Sequence, residues 1–265
     1  MVSIVSCVSF QNRKPAVCAR GFSLIELLVV VALIGLLSVI LVPAVSRGIH
    51  AAKGASCASN LKQMYAAYVM YLDDHGGRFF KWREETEEGV QWYWGLETGG
   101  SGEGSRQLDK SRAKLAAYFD HVGGIEICPS LPYRAPYFKP KFDIASYGYG
   151  LNIYLIAGTP PNRSCGISRF DDIALPSETI TWGDAAQVNS WQSPATPENP
   201  MLEEWYYLSA APPPGFHFRH AGGANMIMAD GAVRRFEPAW LDPRCDGLTG
   251  YIESHGRDDY LRPIR

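Results

Sequence analysis

The chain has 265 residues, 46% of them apolar and 20% charged, which is enough to bury a substantial core in one large domain or two small ones. Its formal net charge of −2 sets up no field that would gather nucleic acid or an acidic surface. With no Lys/Arg block, zinc-finger spacing or aromatic RNA-binding signature, nucleic acid is not an expected partner.

Residues 1–20 carry Arg13, Lys14 and Arg20 and no acid, and an apolar run follows from Leu24 to Val45 with Glu26 as its one charge. About 20 such residues are what a helix needs to cross a bilayer. Positive charge ahead of the span holds that end in the cytoplasm and sends the remainder outward, although Arg47 and Lys53 oppose this weakly. A secretory signal would be shorter and cut behind it, for which Ala44-Val45-Ser46 is the available site. A plain signal anchor explains the length but leaves Glu26 without a purpose. An acid inside a span costs roughly 2–3 kcal/mol at mid-membrane and less near an end, and such groups usually have a partner. A cut between Gly21 and Phe22 supplies one, because it exposes an α-amine on Phe22, four residues before Glu26. In an assembly, the carboxylate of one subunit then neutralises the amine of its neighbour and sets axial register.

The segment Arg20-Gly21-Phe22-Ser23-Leu24-Ile25-Glu26-Leu27-Leu28-Val29-Val30 resembles the cleavage and methylation signature of type IV prepilins and type II secretion pseudopilins. The resemblance implies that a prepilin peptidase cuts after Gly21 and N-methylates Phe22, and that Glu26 is the assembly glutamate. Pro43 falls where many family members carry a helix-loosening proline.

Beyond Val45, Ala51, Ala55, Ala58, Leu61, Tyr65, Tyr68 and Leu72 recur at three- and four-residue steps, which predicts one face of a helix. Small residues in its first turns would let another helix approach closely. Asp73-Asp74-His75-Gly76-Gly77 ends the pattern, so one helix from Phe22 to about Asp73 is expected, against two helices broken at Pro43 or Gly48. Cys57-Ala58-Ser59-Asn60-Leu61-Lys62-Gln63 resembles a segment of a bacterial subgroup of these proteins.

In the head, Trp82, Trp92, Tyr93, Trp94, Trp191, Trp205, Tyr206 and Tyr207 read as core more readily than as a binding platform. Leu108 to Phe119 is expected to be a short helix. Cys128-Pro129-Ser130 and the stretch from Ser146 to Asn152 read as strand or turn markers of the same subgroup. Pro160-Pro161 and Pro212-Pro213-Pro214 mark surface loops. Ser177 to Asp184 reads as a strand with an acid at its end, and Asp230-Gly231 as a tight turn between strands 224–229 and 232–236. The nine residues between His220 and Asp230-Gly231 resemble the H-x9-DG segment of prepilin-type proteins.

Cys57, Cys128, Cys165 and Cys245 lie beyond the span, and an even count there fits disulfides in an oxidising compartment, with three pairings open, against free buried thiols for some. No C-x-x-C occurs, which speaks against a redox or zinc role. His217, His220, Asp184 and Asp230 are the candidate site residues, and no catalytic motif accompanies them. Some pseudopilins bind calcium in a loop of this region, so a divalent metal such as calcium on Asp184, His220 and Asp230 is the cofactor to consider. Against it, the two histidines are not at a recognised metal spacing and the hairpin already accounts for Asp230.

The expectation is an α+β protein: a leader over 1–21, a membrane span over 22–45, an amphipathic stem over 46–75, and a head over 76–265 in which the helix packs on an antiparallel sheet with long loops. The resemblance implies a non-enzymatic subunit of a pilus or pseudopilus, with prepilin peptidase, like subunits and membrane lipid as partners. The alternative is a membrane-tethered binding protein for glycan or another surface ligand that does not polymerise.

Overall fold

The computed structural model describes residues 23–99, 102–119, 124–157, 167–253 and 259–264. The chain divides into two units, Met1–Arg47 and Gly48–Arg265. Helix α1, Leu24–Asp74, belongs to both and runs through Pro43 as one α-helix.

In the first unit the backbone N–H of Ser23 donates to Glu26 Oε2 at 2.8 Å, and Ser23 O accepts from Leu27 N at 3.1 Å. Ser23 therefore stands at the N-cap, with Glu26 reaching back as in the S-x-x-E capping arrangement. From Leu24 to Arg47 every side chain is exposed, the leucines and valines of the span included. At 1.5 Å per residue this stretch rises about 36 Å, more than the ~30 Å of a hydrocarbon core. So much bare apolar surface is stable only in lipid or against other apolar helices.

The second unit begins with the rest of α1, whose buried face is Cys57, Leu61, Met64, Ala67, Tyr68, Tyr71 and Leu72. The expected face is thus corrected: Ala51 and Ala55 are exposed, Tyr65 is half-buried, and burial starts at Cys57. The helix stops where Gly76 and Gly77 take φ of 62° and 76°, a left-handed turn suited to glycine, and Gly77 N–H returns to Leu72 O at 2.6 Å.

The chain then forms a four-stranded antiparallel meander of β1 (Arg83–Thr86), β2 (Gly89–Trp92), β3 (Gly95–Gly99) and β4 (Gln107–Asp109). β5 (Tyr149–Asn152), β6 (Ile180–Asp184), β7 (Gln187–Asn189), β8 (Met201–Glu203) and β9 (Tyr207–Leu208) follow. The last five strands are β10 (Phe216–His217), β11 (Ala224–Met228), β12 (Val233–Phe236), β13 (Trp240–Asp242) and β14 (Thr249–Tyr251). The central sheet has the order β12-β11-β6-β5-β9, antiparallel except for the β5–β9 pair. Strands β10, β14 and β13 form a smaller sheet, and β7 pairs with β8. The fold is α+β with several sheets, one of them mixed, where one antiparallel sheet was expected.

Tyr68 of α1 sits edge-on to Trp182 of β6, Phe80 and Phe170, and Tyr93 packs on Trp182 and Tyr207. Tyr93, Trp94, Tyr206 and Tyr207 are buried, so most of the aromatic cluster is core. The helix expected over Leu108–Phe119 is corrected: Leu108 belongs to β4, and two 3-10 turns follow, Lys110–Arg112 and Ala116–Tyr118. Asp109 caps the first of these through Ser111 N, and Ala113 returns to extended backbone, which ends any helix.

Candidate functional site

The site residues predicted at the N-terminus divide at the edge of the described chain. Gly21 and Phe22 lie outside the described residues. Glu26 is exposed on the first turn of α1, with its carboxylate turned back to Ser23.

In the head, four segments far apart in sequence meet. Asp184 ends β6, the central strand of the mixed sheet, and is fully buried. Its Oδ2 accepts the backbone N–H of Asn225 at 2.7 Å, and its Oδ1 accepts from Arg219 Nη2 at 2.6 Å and from the Cys57 thiol at 3.3 Å. His220 comes from the tight turn before β11, where it bridges to Gly223 while Ala221 and Gly222 take φ of 50° and 80°. Its Nε2 lies 3.3 Å from Asp184 Oδ2 and 3.5 Å from Cys128 Sγ. Cys128 sits in a turn packed so closely on Gly148 that a Cβ there would stand 2.7 Å from the Cys128 backbone nitrogen. Cys57, Cys128, Asp184 and His220 are all buried, and their donor atoms lie within 4.8 Å of one another.

Arg219 closes the group. Its guanidinium donates to Cys128 Sγ at 3.1 Å, to Ala185 O at 3.1 Å and to the Gly148 carbonyl, besides Asp184. On its far side, His217 Nδ1 takes an N–H from Arg219 at 3.2 Å, and His217 Nε2 reaches Asp246 Oδ2 at 3.0 Å. This assigns the Nε2-protonated tautomer to His217, and burial lowers its pKa, overriding the pull of Asp246.

Burial opposes the charge on Asp184, but Arg219 and His220 outweigh it and hold the carboxyl below its usual range. For His220, burial is overcome by Asp184 and Cys128, which raise its pKa to about 9. The thiols move apart. Burial pushes Cys57 up strongly, whereas for Cys128 the burial penalty is overcome by the Cys57 thiol, Arg219 and His220, which bring it to about 4.

Of the metal set named from sequence, the structure brings Asp184 and His220 together and leaves Asp230 apart. Asp230 is exposed in the β11–β12 turn, where its Oδ1 accepts the N–H of Ala232 at 2.9 Å. Gly231 in that turn has φ 83°, the left-handed conformation that the Asp-Gly pair predicts. Cys57, Cys128 and Cys245 are free thiols, Cys245 standing apart with Pro200 O at 3.4 Å, and Cys165 lies outside the described residues. Cys57 and Cys128, disulfide candidates from the sequence, stand instead as thiols beside Asp184 and His220. Each segment contributes a single member, so no local spacing signals the cluster.

Residues 18–42 match the family described as the prokaryotic N-terminal methylation motif. No curated protein and no solved structure matches the chain. The motif, with the long apolar helix that begins inside it, makes this a prepilin-like protein with the features of a membrane-anchored one.

Proposed function

We propose that this protein is a pilin-like structural subunit, cut after Gly21 by prepilin peptidase and then assembled into a type IV pilus or a type II secretion pseudopilus. The observation that carries the reading is the exposed apolar part of α1, residues 24–45, with a single acid, Glu26, on its first turn. A helix of this kind has two stable surroundings, lipid and a bundle of like helices. Before processing it holds the protein in the cytoplasmic membrane, with the leader inside and the head outside. After processing, Glu26 pairs with the Phe22 amine of a neighbouring subunit as the span moves into the filament. In this reading the peptidase is the enzyme and the chain is its substrate, without catalytic activity of its own.

A tethered binding protein that does not polymerise would share the span. Its support is limited to the exposed indole of Trp191, since the other aromatic residues named for a platform are buried or half-buried, and to that of Trp240, which was not named for one.

Mass spectrometry of the N-terminus of the protein isolated from its own cells tests the proposal. A methylated phenylalanine as first residue is expected. A chain still beginning at Met1, or one trimmed near Ser46, would overturn it.

A further inference from the structure

We propose that Cys57, Cys128, Asp184 and His220 form a closed tetrahedral site for a zinc-type divalent ion, which pins the stem of α1 to the head. The inference is independent of filament assembly and lies wholly within the unit Gly48–Arg265.

Geometry carries it. An ion bound at about 2.0–2.3 Å by four tetrahedral ligands holds them about 3.3–3.8 Å apart. The separations here are 3.5 Å from Cys128 Sγ to His220 Nε2 and, for whichever Asp184 oxygen takes the ion, 3.3 Å from Cys57 Sγ to Oδ1 or 3.3 Å from His220 Nε2 to Oδ2. All four donors lie within 4.8 Å of one another on buried residues. The donors come from α1, from the turn at Cys128, from the end of β6 and from the turn before β11, each fixed by its own backbone contacts.

The donor chemistry chooses the ion. Calcium takes six to eight oxygens, and this site offers one carboxylate. Two sulfurs, an imidazole and a carboxylate suit zinc among the available divalent ions. Four protein donors leave no position for water or substrate, so the role is structural.

Charge balances as well. Binding sends the protons of the ligating sulfurs and of His220 Nε2 to solvent and leaves two thiolates, a neutral imidazole and the Asp184 carboxylate around the ion. Those three negative charges meet two on the metal and one on Arg219, whose guanidinium already donates to Cys128 Sγ and Asp184. The filled site is neutral, as a buried site must nearly be.

The competing arrangement of the same atoms is a Cys57–Cys128 disulfide, and one experiment separates the two. The full chain, extracted from membranes in detergent under anaerobic conditions, is analysed for metal. A portion is stripped and reloaded with Co2+. About one zinc per chain is expected, with intense visible and near-ultraviolet bands of tetrahedral cobalt–thiolate coordination on reloading. Cys57→Ser, Cys128→Ser and His220→Gln should each lose the ion, and Cys245→Ser should keep it. The cobalt spectrum of the unsubstituted chain needs no variant to fold. Absence of both zinc and the cobalt bands overturns the proposal, as does a Cys57–Cys128 disulfide found by non-reducing peptide mapping.

Discussion

Asp184 and Arg219 form a buried ion pair at 2.6 Å, with 0% and 2% of their side chains exposed. The guanidinium is also the hub for Cys128, Ala185 and Gly148, so one side chain links the end of β6 with the turn at Cys128 and the chain just before β5.

Removing one partner of such a pair strands the other charge without solvent, a loss of about 3–5 kcal/mol. Arg219→Met should lower the unfolding free energy of the detergent-solubilised protein by about that amount in denaturant titration. Arg219→Lys should recover little, because one ammonium cannot reach the positions held by the planar fork. A change below about 1 kcal/mol for Arg219→Met would show that the hub does not hold the head together.

Glu204 makes the stability of the head depend on pH. It is fully buried, its Oε2 accepts Lys141 N–H at 3.1 Å, and its Oε1 has no hydrogen-bond partner among the described residues. Burial, only partly offset by backbone N–H groups and Lys141, pushes its pKa from 4.5 up to about 7. The folded chain therefore keeps a proton that the unfolded chain gives up between those values. The contribution to stability is complete below pH 4.5 and is lost as pH rises through 7. Glu204→Gln stays neutral, so it should gain on the order of 3 kcal/mol over the parent at pH 8 and differ little at pH 4. Parallel unfolding curves at the two pH values would count against a protonated Glu204.

The stem makes a cleaner contrast. Tyr68 is fully buried among Phe80, Phe170 and Trp182, whereas Met70, two residues on, is 53% exposed. Tyr68→Ala should cost about 3–5 kcal/mol, and Met70→Ala should stay within about 0.5 kcal/mol. Tryptophan fluorescence during unfolding reads both. Equal effects would mean that the helix packs on the head through a different face.

Glu26→Ala should leave cleavage largely intact and abolish incorporation into filaments, as read by gel mobility of the precursor and by the sheared filament fraction. Loss of the bond to Ser23 N–H would at the same time loosen the first turn of α1, by about 1 kcal/mol. Replacing Gly21 with Leu should stop processing, leaving the precursor's mobility unchanged. Normal assembly of the Glu26 variant would refute its pairing with the Phe22 amine.

Where the fold was legible in the residues, the signal was local. Asp230-Gly231 predicted its hairpin because glycine takes the left-handed position that ends the turn, although the loop is longer than the Asp-Gly pair alone: the strands stop at Met228 and resume at Val233. Val233, Phe236 and the apolar run of β11 pair across that turn in antiparallel register. Leu108 to Phe119 carried a comparable apolar pattern and was misread. Pairing of β4 with β3, through Leu96 and Asp109, takes Leu108 into a strand before a helix can form. The first turns of the stem differ for the opposite reason: Ala51 and Ala55 have helical spacing, but among the described residues no part of the head covers them. The capping arrangement of Ser23 and Glu26 was visible as S-x-x-E, although Glu26 was read only for assembly.

By itself, the amino-acid sequence determined the anchor: an uninterrupted apolar stretch, one acid near its start, and a glycine–phenylalanine bond before it. Such a segment meets lipid or its own kind through composition and length, which need no tertiary contact to be expressed. Tertiary structure alone decided that Cys57, Cys128, Asp184 and His220 share one pocket and that Asp230 stays outside it. Contacts across more than 160 positions are set by how sheet and helix close on a common core, and no spacing along the chain encodes that distance.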